Sequence, residues 1–503
     1  MEPCHSGRAR VCLVSPTAYR VGMSSLSLQA VYALLSRTGQ VTVERAFLPA
    51  EGDACRSLET GTHLAQFDAI AFSAAFELDY LRVPRMLHSA GLPPRREDRA
   101  DRHPLVIAGG AAVTSNPLPL ADFVDAFVIG EVETIAGDLA AALGEQTKGA
   151  QLEALAALPG VYVPSRHDGR PVERLATPDL DDWPTHSIIL TPHAEFANCF
   201  LVEVGRGCGR LCRFCLAAHI HRPLRQRSVA SLLRTARQGL QHTDRLGLLG
   251  AALSDYRDIG PLAADLAALG ARISTSSLRT ESVTPELVAA LAQGGQRQIT
   301  LAPEAGTGRL RGVIRKPTSD DDLRAAIETA LAAGLTDLKL YFMVGLPTET
   351  DEDVEAIAAL VSSLKREFPR ARFGVSLAPF VPKPHTPFQW APMAPLAMLE
   401  QRVQRLRRAL VGQARFEAES CRWSVVQAIL ARGGMELGEV VATAAAGGGT
   451  ATAFFRALAK SGHDPDAYLA PDQDLRKPLP WDFVATAEAR RPLWRQWQQA
   501  VAT

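Results

Sequence analysis

Between residues 11 and 144, short apolar runs alternate with stretches in which apolar residues recur every three or four positions. The runs at 11–14, 41–45, 69–73, 105–108 and 126–129 read as buried strands, and helical periodicity covers 24–35, 78–90 and 132–143. Continuous apolar strands divided by helices predict an open parallel sheet covered on both faces. Ligands on such sheets lie across the carboxyl ends of the strands. Those ends carry Ser73-Ala74-Ala75, Gly109-Gly110-Ala111 and Gly130-Glu131, small residues that let a ligand approach the backbone.

The same alternation resumes further on. Apolar strands are expected at 200–204, 246–249, 272–276, 298–302, 338–344 and 373–377, with helices between them near 228–242, 259–269, 285–293, 320–333 and 351–367. Six strand–helix units in a row predict a partial (β/α) barrel, whose function gathers at the carboxyl ends of its strands. The fold expected is thus α/β: an N-terminal doubly wound, flavodoxin-like sheet over 1–145, a Pro- and Asp-rich connector over 146–199, the partial (β/α)6 barrel over 200–393, and a small, mostly helical region over 394–503. In that last region Trp423, Trp481, Trp494 and Trp497 are expected to pack against the barrel more readily than to line a pocket.

Composition narrows the classes. With 54 basic and 54 acidic residues in 503, no global field favours nucleic acid or an anionic membrane, and nucleic acid is not an expected partner. Neither a signal-peptide core nor a run of 18 apolar residues occurs, so the expectation is a cytoplasmic protein without membrane association.

The candidate chemistry sits at the first barrel strand. The stretch 205–215, GRGCGRLCRFC, spaces Cys208, Cys212 and Cys215 as C-x-x-x-C-x-x-C. Three thiolates in eight residues can wrap one side of a metal centre; a four-iron cluster needs four ligands, and supplying three leaves one position open, as a catalytic centre requires. A structural zinc site is the alternative, with His219 or His221 as its fourth ligand. At this point the chain resembles the radical S-adenosylmethionine (radical SAM) superfamily, whose signature is this spacing with an aromatic residue, here Phe214, before the last Cys.

The resemblance implies a 4Fe-4S cluster held by Cys208, Cys212 and Cys215, whose open iron chelates S-adenosyl-L-methionine and cleaves it reductively to a 5'-deoxyadenosyl radical. Such a cosubstrate needs a carboxylate near its ammonium, an Arg near its carboxylate and Gly where backbone meets ring. Glu304, Arg279 and Gly345 stand at successive strand ends for those roles, with Gly250 and Phe214 beside them. The N-terminal layout is similar to the cobalamin-binding domain of one radical SAM subgroup, which implies cobalamin across Ser73, Gly109, Gly110 and Gly130. The D-x-H-x-x-G motif of many such domains is met only by Asp101-Arg102-His103, with Val106 in place of Gly. VGMSSLSLQAVY, LVIAGG, SLRTESVTPEL, LAPEAGTGRLRGVIRK, LKLYFMVGLPTETDEDV and KPHTPFQW extend the resemblance over most of the chain, to a subgroup of largely unassigned activity.

The activity expected is therefore that of a radical SAM enzyme acting with cobalamin on an unidentified small molecule or peptide, most plausibly as a methyltransferase at an unactivated centre. Two alternatives stand beside it. One is a cobalamin-free radical SAM enzyme, RNA-modifying or methylthiotransferase-like, with a second cluster drawn from Cys4, Cys12 and Cys55. The other is a non-catalytic metal-binding scaffold. Arg206, Arg210, Arg213, Arg222, Arg225 and Arg227, with His219 and His221, make the loop after the cluster basic: either a solvated face or a dock for a reduced flavodoxin- or ferredoxin-type electron donor.

Overall fold

The structure, a computed structural model, describes residues 9–470 and 472–502. Strands β1 (Ala9–Ser15), β2 (Val41–Phe47), β3 (Ala69–Ser73), β4 (Leu105–Gly109), β5 (Ala126–Val128) and β6 (Val161–Tyr162) form one sheet in the order β2-β1-β3-β4-β5-β6. The first five run parallel, and β6 closes the edge antiparallel to β5. Alternation along β1 separates the two faces. Val11 and Leu13 pack with Leu28, Tyr32 and Leu35 of the helix Leu26–Arg37 (α1), whereas Cys12 and Val14 enter a second core that continues through the rest of the molecule.

The helix expected over 78–90 divides. A 3-10 turn spans Glu77–Leu81 and an α-helix follows at Arg82–Ser89. Pro84, which lacks an N–H, sits in the first turn of that helix, where no intrahelical donor is needed.

The second unit has seven parallel strands in two sheets. β7 (Phe200–Glu203), β8 (Arg245–Leu249) and β9 (Arg272–Thr275) are ordered β9-β8-β7, and β10 (Gln298–Glu304), β11 (Asp337–Val344), β12 (Arg372–Pro379) and β13 (Arg415–Ala418) follow as β10-β11-β12-β13. A bridge between Leu278 and Leu301 joins the two into a partial barrel. The intervening helices start on strong signals: Ser319 with Asp322, and Thr350 with Asp353, form capping boxes at the heads of Asp320–Ala332 and Asp351–Glu367.

Two pieces lie where the sequence pointed elsewhere. β6 comes from the presumed connector, and β13 from the presumed helical tail. The helices Cys421–Arg432, Gly438–Ala446 and Ala451–Lys460 place Val425, Ile429, Val441 and Phe454 in the core shared with Val14, Phe72 and Val83, so they cover the second face of the first sheet. Asn116 donates to the carbonyls of Ala431 and Gly433 across this contact at 3.0 and 2.7 Å. Among the described residues no helix is long and apolar enough to cross a membrane.

Candidate active site

β7 ends at Glu203, and Gly205-Arg206 then pairs antiparallel with Arg225-Gln226. At Gly207, with φ +81°, a Cβ would lie 2.5 Å from the His221 carbonyl oxygen and 3.0 Å from that of Pro223, so the loop turns only through glycine. Cys208 and Cys212 are buried and Cys215 half-buried. Burial pushes up the thiols of Cys212 and Cys215, the latter to about 11, and the neighbouring cysteines add to it: Cys208 acts on Cys212, and both act on Cys215. The three sulfurs are therefore electrostatic neighbours whose protons a metal must displace on binding.

Among the described residues no three His, Cys, Asp or Glu side chains converge closely enough for a single metal ion. Ligands of an iron-sulfur cube are spaced by the cube, one per iron, whereas a zinc ion draws its ligands onto one point. Both candidate zinc histidines are placed elsewhere. His219 lies between Glu488, which its Nδ1 meets, and the Cys212 carbonyl, 3.2 Å from Nε2. His221 faces Glu131. With His219 engaged by Glu488 and His221 beside Glu131, the donors left at the loop are the three cysteines, the number that an open four-iron cluster takes.

Arg279 and Glu304 arrive beside the cysteines. Arg279 Nη1 lies 3.9 Å from Cys212 Sγ, and its Nη2 donates to Glu281 at 2.9 Å. Glu304 ends β10 beyond a register shift, holds φ +67°, accepts from Lys316 Nζ at 2.8 Å and adds its charge at Cys215. A non-glycine residue in that conformation stores about 1–3 kcal/mol, as functional sites often do. Gly250 follows β8 in the open, its would-be Cβ no closer than 3.8 Å to Gly205 O. Phe214 is half-buried against the apolar cluster around Ala305, Phe388 and Trp390. Gly345 has a different occupation: with φ +83°, its Cβ would come 2.7 Å from Leu399 Cδ2, and its N–H already donates to Glu349 at 2.6 Å. Packing against the helix Leu396–Ala409 accounts for this glycine.

A cavity of about 340 Å³ opens at the strand tips of the first sheet. Its walls are the sheet face (Leu13, Ala71, Ile107, Val128) and helix α1, and Ser73, Gly109, Gly110 and Gly130 all line it. A Cβ on Gly110 (φ +117°) would strike the Ala74 carbonyl, and one on Gly130 (φ +101°) would lie 2.6 Å from Leu175 N, so both are fixed by neighbouring backbone. Gly109 has room, its nearest neighbour 3.6 Å away. An apolar slit floored by small residues suits a long ligand with a flat or apolar part. His103 is not on its wall; that ring accepts from Ala100 N at 3.0 Å, so the near-match of the histidine motif supplies no ligand here.

The cavity mouth and the cysteine loop share residues that sequence reasoning took for a basic face. Arg206, two positions before Cys208, pairs with Glu131 at 2.9 Å, Glu133 at 2.6 Å and Glu203 at 2.8 Å. Arg225 forks onto Glu131 at 2.9 and 2.7 Å, and Arg227 donates to Glu203 at 2.7 Å. Burial works to raise the Glu131 carboxyl, but the Arg225 bonds, Arg206 and the Thr177 N–H overcome it and hold it down at about 2. Arg213 is buried and donates to the Val313 carbonyl at 2.7 Å, while Arg222 pairs with Glu488 at 2.5 Å. Arg210, forked on Asp255 at 2.7 and 2.8 Å, is the exposed member. The loop is an internal ion-pair network, and the dock for an electron donor loses its basis there. The only sequence signal for this network is an acidic residue directly at a strand tip, as in Gly130-Glu131 and at the end of β7.

The helix Arg490–Val501 packs on the apolar cluster around Phe388 and Trp390. Trp497 is buried against Phe388, Trp494 stands edge-on to Trp390, and Trp481 is buried with its Nε1 donating to Gln389 at 2.8 Å, so these indoles pack against the barrel. Trp423 likewise lies half-buried against the main core. Cys12 and Cys55 are core thiols, Cys55 pushed up to about 12 by burial, and Cys4 lies outside the described residues.

Comparison with known proteins gives a consistent result. Residues 27–164 match the family model "Radical SAM proteins, N-terminal" and residues 202–361 match "Radical SAM superfamily". The chain is 31% identical to the uncharacterized protein MJ0966 of Methanocaldococcus jannaschii over 84% of this chain and 88% of that one. It is 27% identical to a tRNA-2-methylthio-N(6)-dimethylallyladenosine synthase of Cereibacter sphaeroides over 44% of this chain, about half (51%) of that enzyme's length. Its fold resembles that of the radical S-adenosylmethionine methyltransferase TsrM from Kitasatospora setae, solved with cobalamin and a [4Fe-4S] cluster, with a TM-score of 0.53 at 14% identity, covering 77% of this chain and 80% of TsrM. From the cysteine triad, the paired α/β units and the match over 84% of its length, the chain belongs to the radical SAM superfamily, whose members carry a 4Fe-4S cluster and use S-adenosylmethionine.

Proposed function

We propose that this protein is a cobalamin-dependent radical SAM methyltransferase acting on an unactivated centre of a small molecule or peptide, reduced by a flavodoxin- or ferredoxin-type donor. The observation that carries the reading is the junction of cavity and cysteine loop: Arg206 and Glu203 line the cavity and lead directly into Cys208. A group in the cavity and one on the cysteines would then share a wall. When bound, the cluster and cosubstrate supply a radical and the corrin supplies a transferable methyl group. The chain's own part is binding and positioning. Cys208, Cys212 and Cys215 would hold the cluster, Glu304 and Arg279 would orient the ends of the cosubstrate, and Ser73, Gly109 and the α1 face would seat the corrin. The Arg206 network keeps charge at the mouth neutralised.

A methylthiotransferase-like reading has the Cereibacter relative in its favour. It wants a second cluster, and Cys12 and Cys55 are buried core thiols, which speaks for the corrin reading. Anaerobic purification from cells supplied with cobalamin separates the two. About four irons and one corrin per chain, with 5'-deoxyadenosine formed from S-adenosylmethionine under reduction, is the expected result. About eight irons without corrin would decide for the alternative.

A further inference from the structure

Three side chains reach the cavity from the cluster-bearing domain: Glu203, Arg206 and His221. The first two are committed to charge partners, Arg206 to Glu131, Glu133 and Glu203, and Glu203 also to Arg227. His221 is different. Among the described residues neither of its ring nitrogens makes a hydrogen bond, and Nδ1 stands 4.0 Å from Glu131 Oε1. Burial, helped by Arg206, Arg174 and Arg225 and opposed by Glu131, lowers its pKa to about 4, so the ring is neutral at neutral pH.

Resting on the corrin reading above, we propose that His221 supplies a nitrogen ligand to the cobalt of the corrin when that metal carries no alkyl group. Three observations lead there. A neutral imidazole is a common donor to such metals, and among the described residues His221 is the one histidine on the cavity wall. The Glu131 carboxylate stands on the Nδ1 side of the ring at 4.0 Å, beyond hydrogen-bond reach, and Nε2 has no partner among the described residues, so a ring nitrogen is free to meet a metal. His221 also belongs to the turn after the helix Leu216–Ile220 that begins at Cys215, so occupancy of the cavity would be sensed by the cluster loop through the chain itself. The step is a ligand exchange: imidazole displaces water from cobalt, with no change in oxidation state.

The test uses the full-length protein loaded with hydroxocobalamin, reduced to the Co(II) form, and examined by electron paramagnetic resonance with natural-abundance and 15N-histidine protein. The expected spectrum shows a nitrogen triplet on the cobalt lines that becomes a doublet on 15N-histidine labelling. It should vanish in His221→Ala and return when free imidazole is added. Bound corrin whose spectrum lacks nitrogen splitting, or whose splitting is untouched by labelling or by His221→Ala, overturns this assignment and leaves the cavity reading standing. Absence of bound corrin from the wild type overturns both.

Discussion

Gly110 and Gly109 adjoin in sequence yet answer to different constraints. At φ +117° the backbone of Gly110 is one that L side chains avoid, and its Cβ would lie 2.9 Å from the Ala74 carbonyl carbon, so Gly110→Ala should cost about 1–3 kcal/mol and lower the melting temperature. Gly109 lies outside that region of φ and has a cavity in front of it. Gly109→Val should therefore melt near the wild type while binding cobalamin at least tenfold more weakly, about 1.4 kcal/mol. Equal loss of melting temperature and affinity in both variants would show the cavity to be a packing defect and not a seat.

His385 carries a different kind of prediction. It is fully enclosed and its Nε2 faces the Ser115 carbonyl at 3.0 Å, across the contact between barrel and first sheet. Burial depresses its pKa to about 4, against about 6.5 in the unfolded chain. The unfolded state therefore binds a proton that the folded state refuses, so stability holds above about pH 6.5 and falls between there and about pH 4. From pH 7 to 5 the loss should be about 2 kcal/mol. Urea unfolding midpoints should drop less over that interval in His385→Gln; an identical drop would assign the acid sensitivity to other groups. Such a residue was beyond sequence reading because the carbonyl it meets lies 270 positions away. The same holds for Arg206 and Arg225, which look like a cationic surface until Glu131 is brought to them. The three cysteines were legible because their chemistry is complete within eight residues.

Elements followed the apolar pattern wherever a strand is buried on both faces, as in β1, β3 and β4. β13 escaped because only four residues pair, at an edge, with Arg415 and Glu417 exposed. The tail was read as an appendage because its helices match a helical pattern, which says nothing of the partner each buries. Its C-terminal stretch in particular supports the cluster loop: Glu488 meets His219 Nδ1 and Arg222 Nη1, and His219 Nε2 faces the Cys212 carbonyl. Glu488→Ala removes the shared acceptor and leaves two basic groups unmatched, at a cost of about 1.5–3 kcal/mol. Iron per chain after reconstitution should fall, and corrin binding, most of whose wall comes from the first sheet and α1, should be retained. A full iron complement in Glu488→Ala would mean that the loop holds its shape unaided.

The whole molecule is organised so that the first sheet and the barrel share one core, and a buried ion pair sits in that seam. Lys383 Nζ lies 2.7 Å from both oxygens of Glu77, and Gln427 Nε2 donates to the same carboxylate at 2.8 Å, joining the first unit, the segment after β12 and the helix Cys421–Arg432. Removing one member of such a pair leaves a buried charge uncompensated, whereas removing both leaves an apolar contact. Lys383→Met should thus destabilise the protein by about 3–5 kcal/mol, and the double variant Lys383→Met with Glu77→Leu should regain most of it. Because the pair lies between units, the loss should appear as uncoupling: the single calorimetric transition expected of the wild type splits in Lys383→Met and merges again in the double variant. The cysteine loop belongs to the barrel and most of the cavity wall to the first sheet, so Lys383→Met should retain iron while corrin affinity and turnover fall, since on the proposed reading both need the two units held together. Turnover at the wild-type level with a split transition would mean that the alignment is set elsewhere, by the Arg206 network alone.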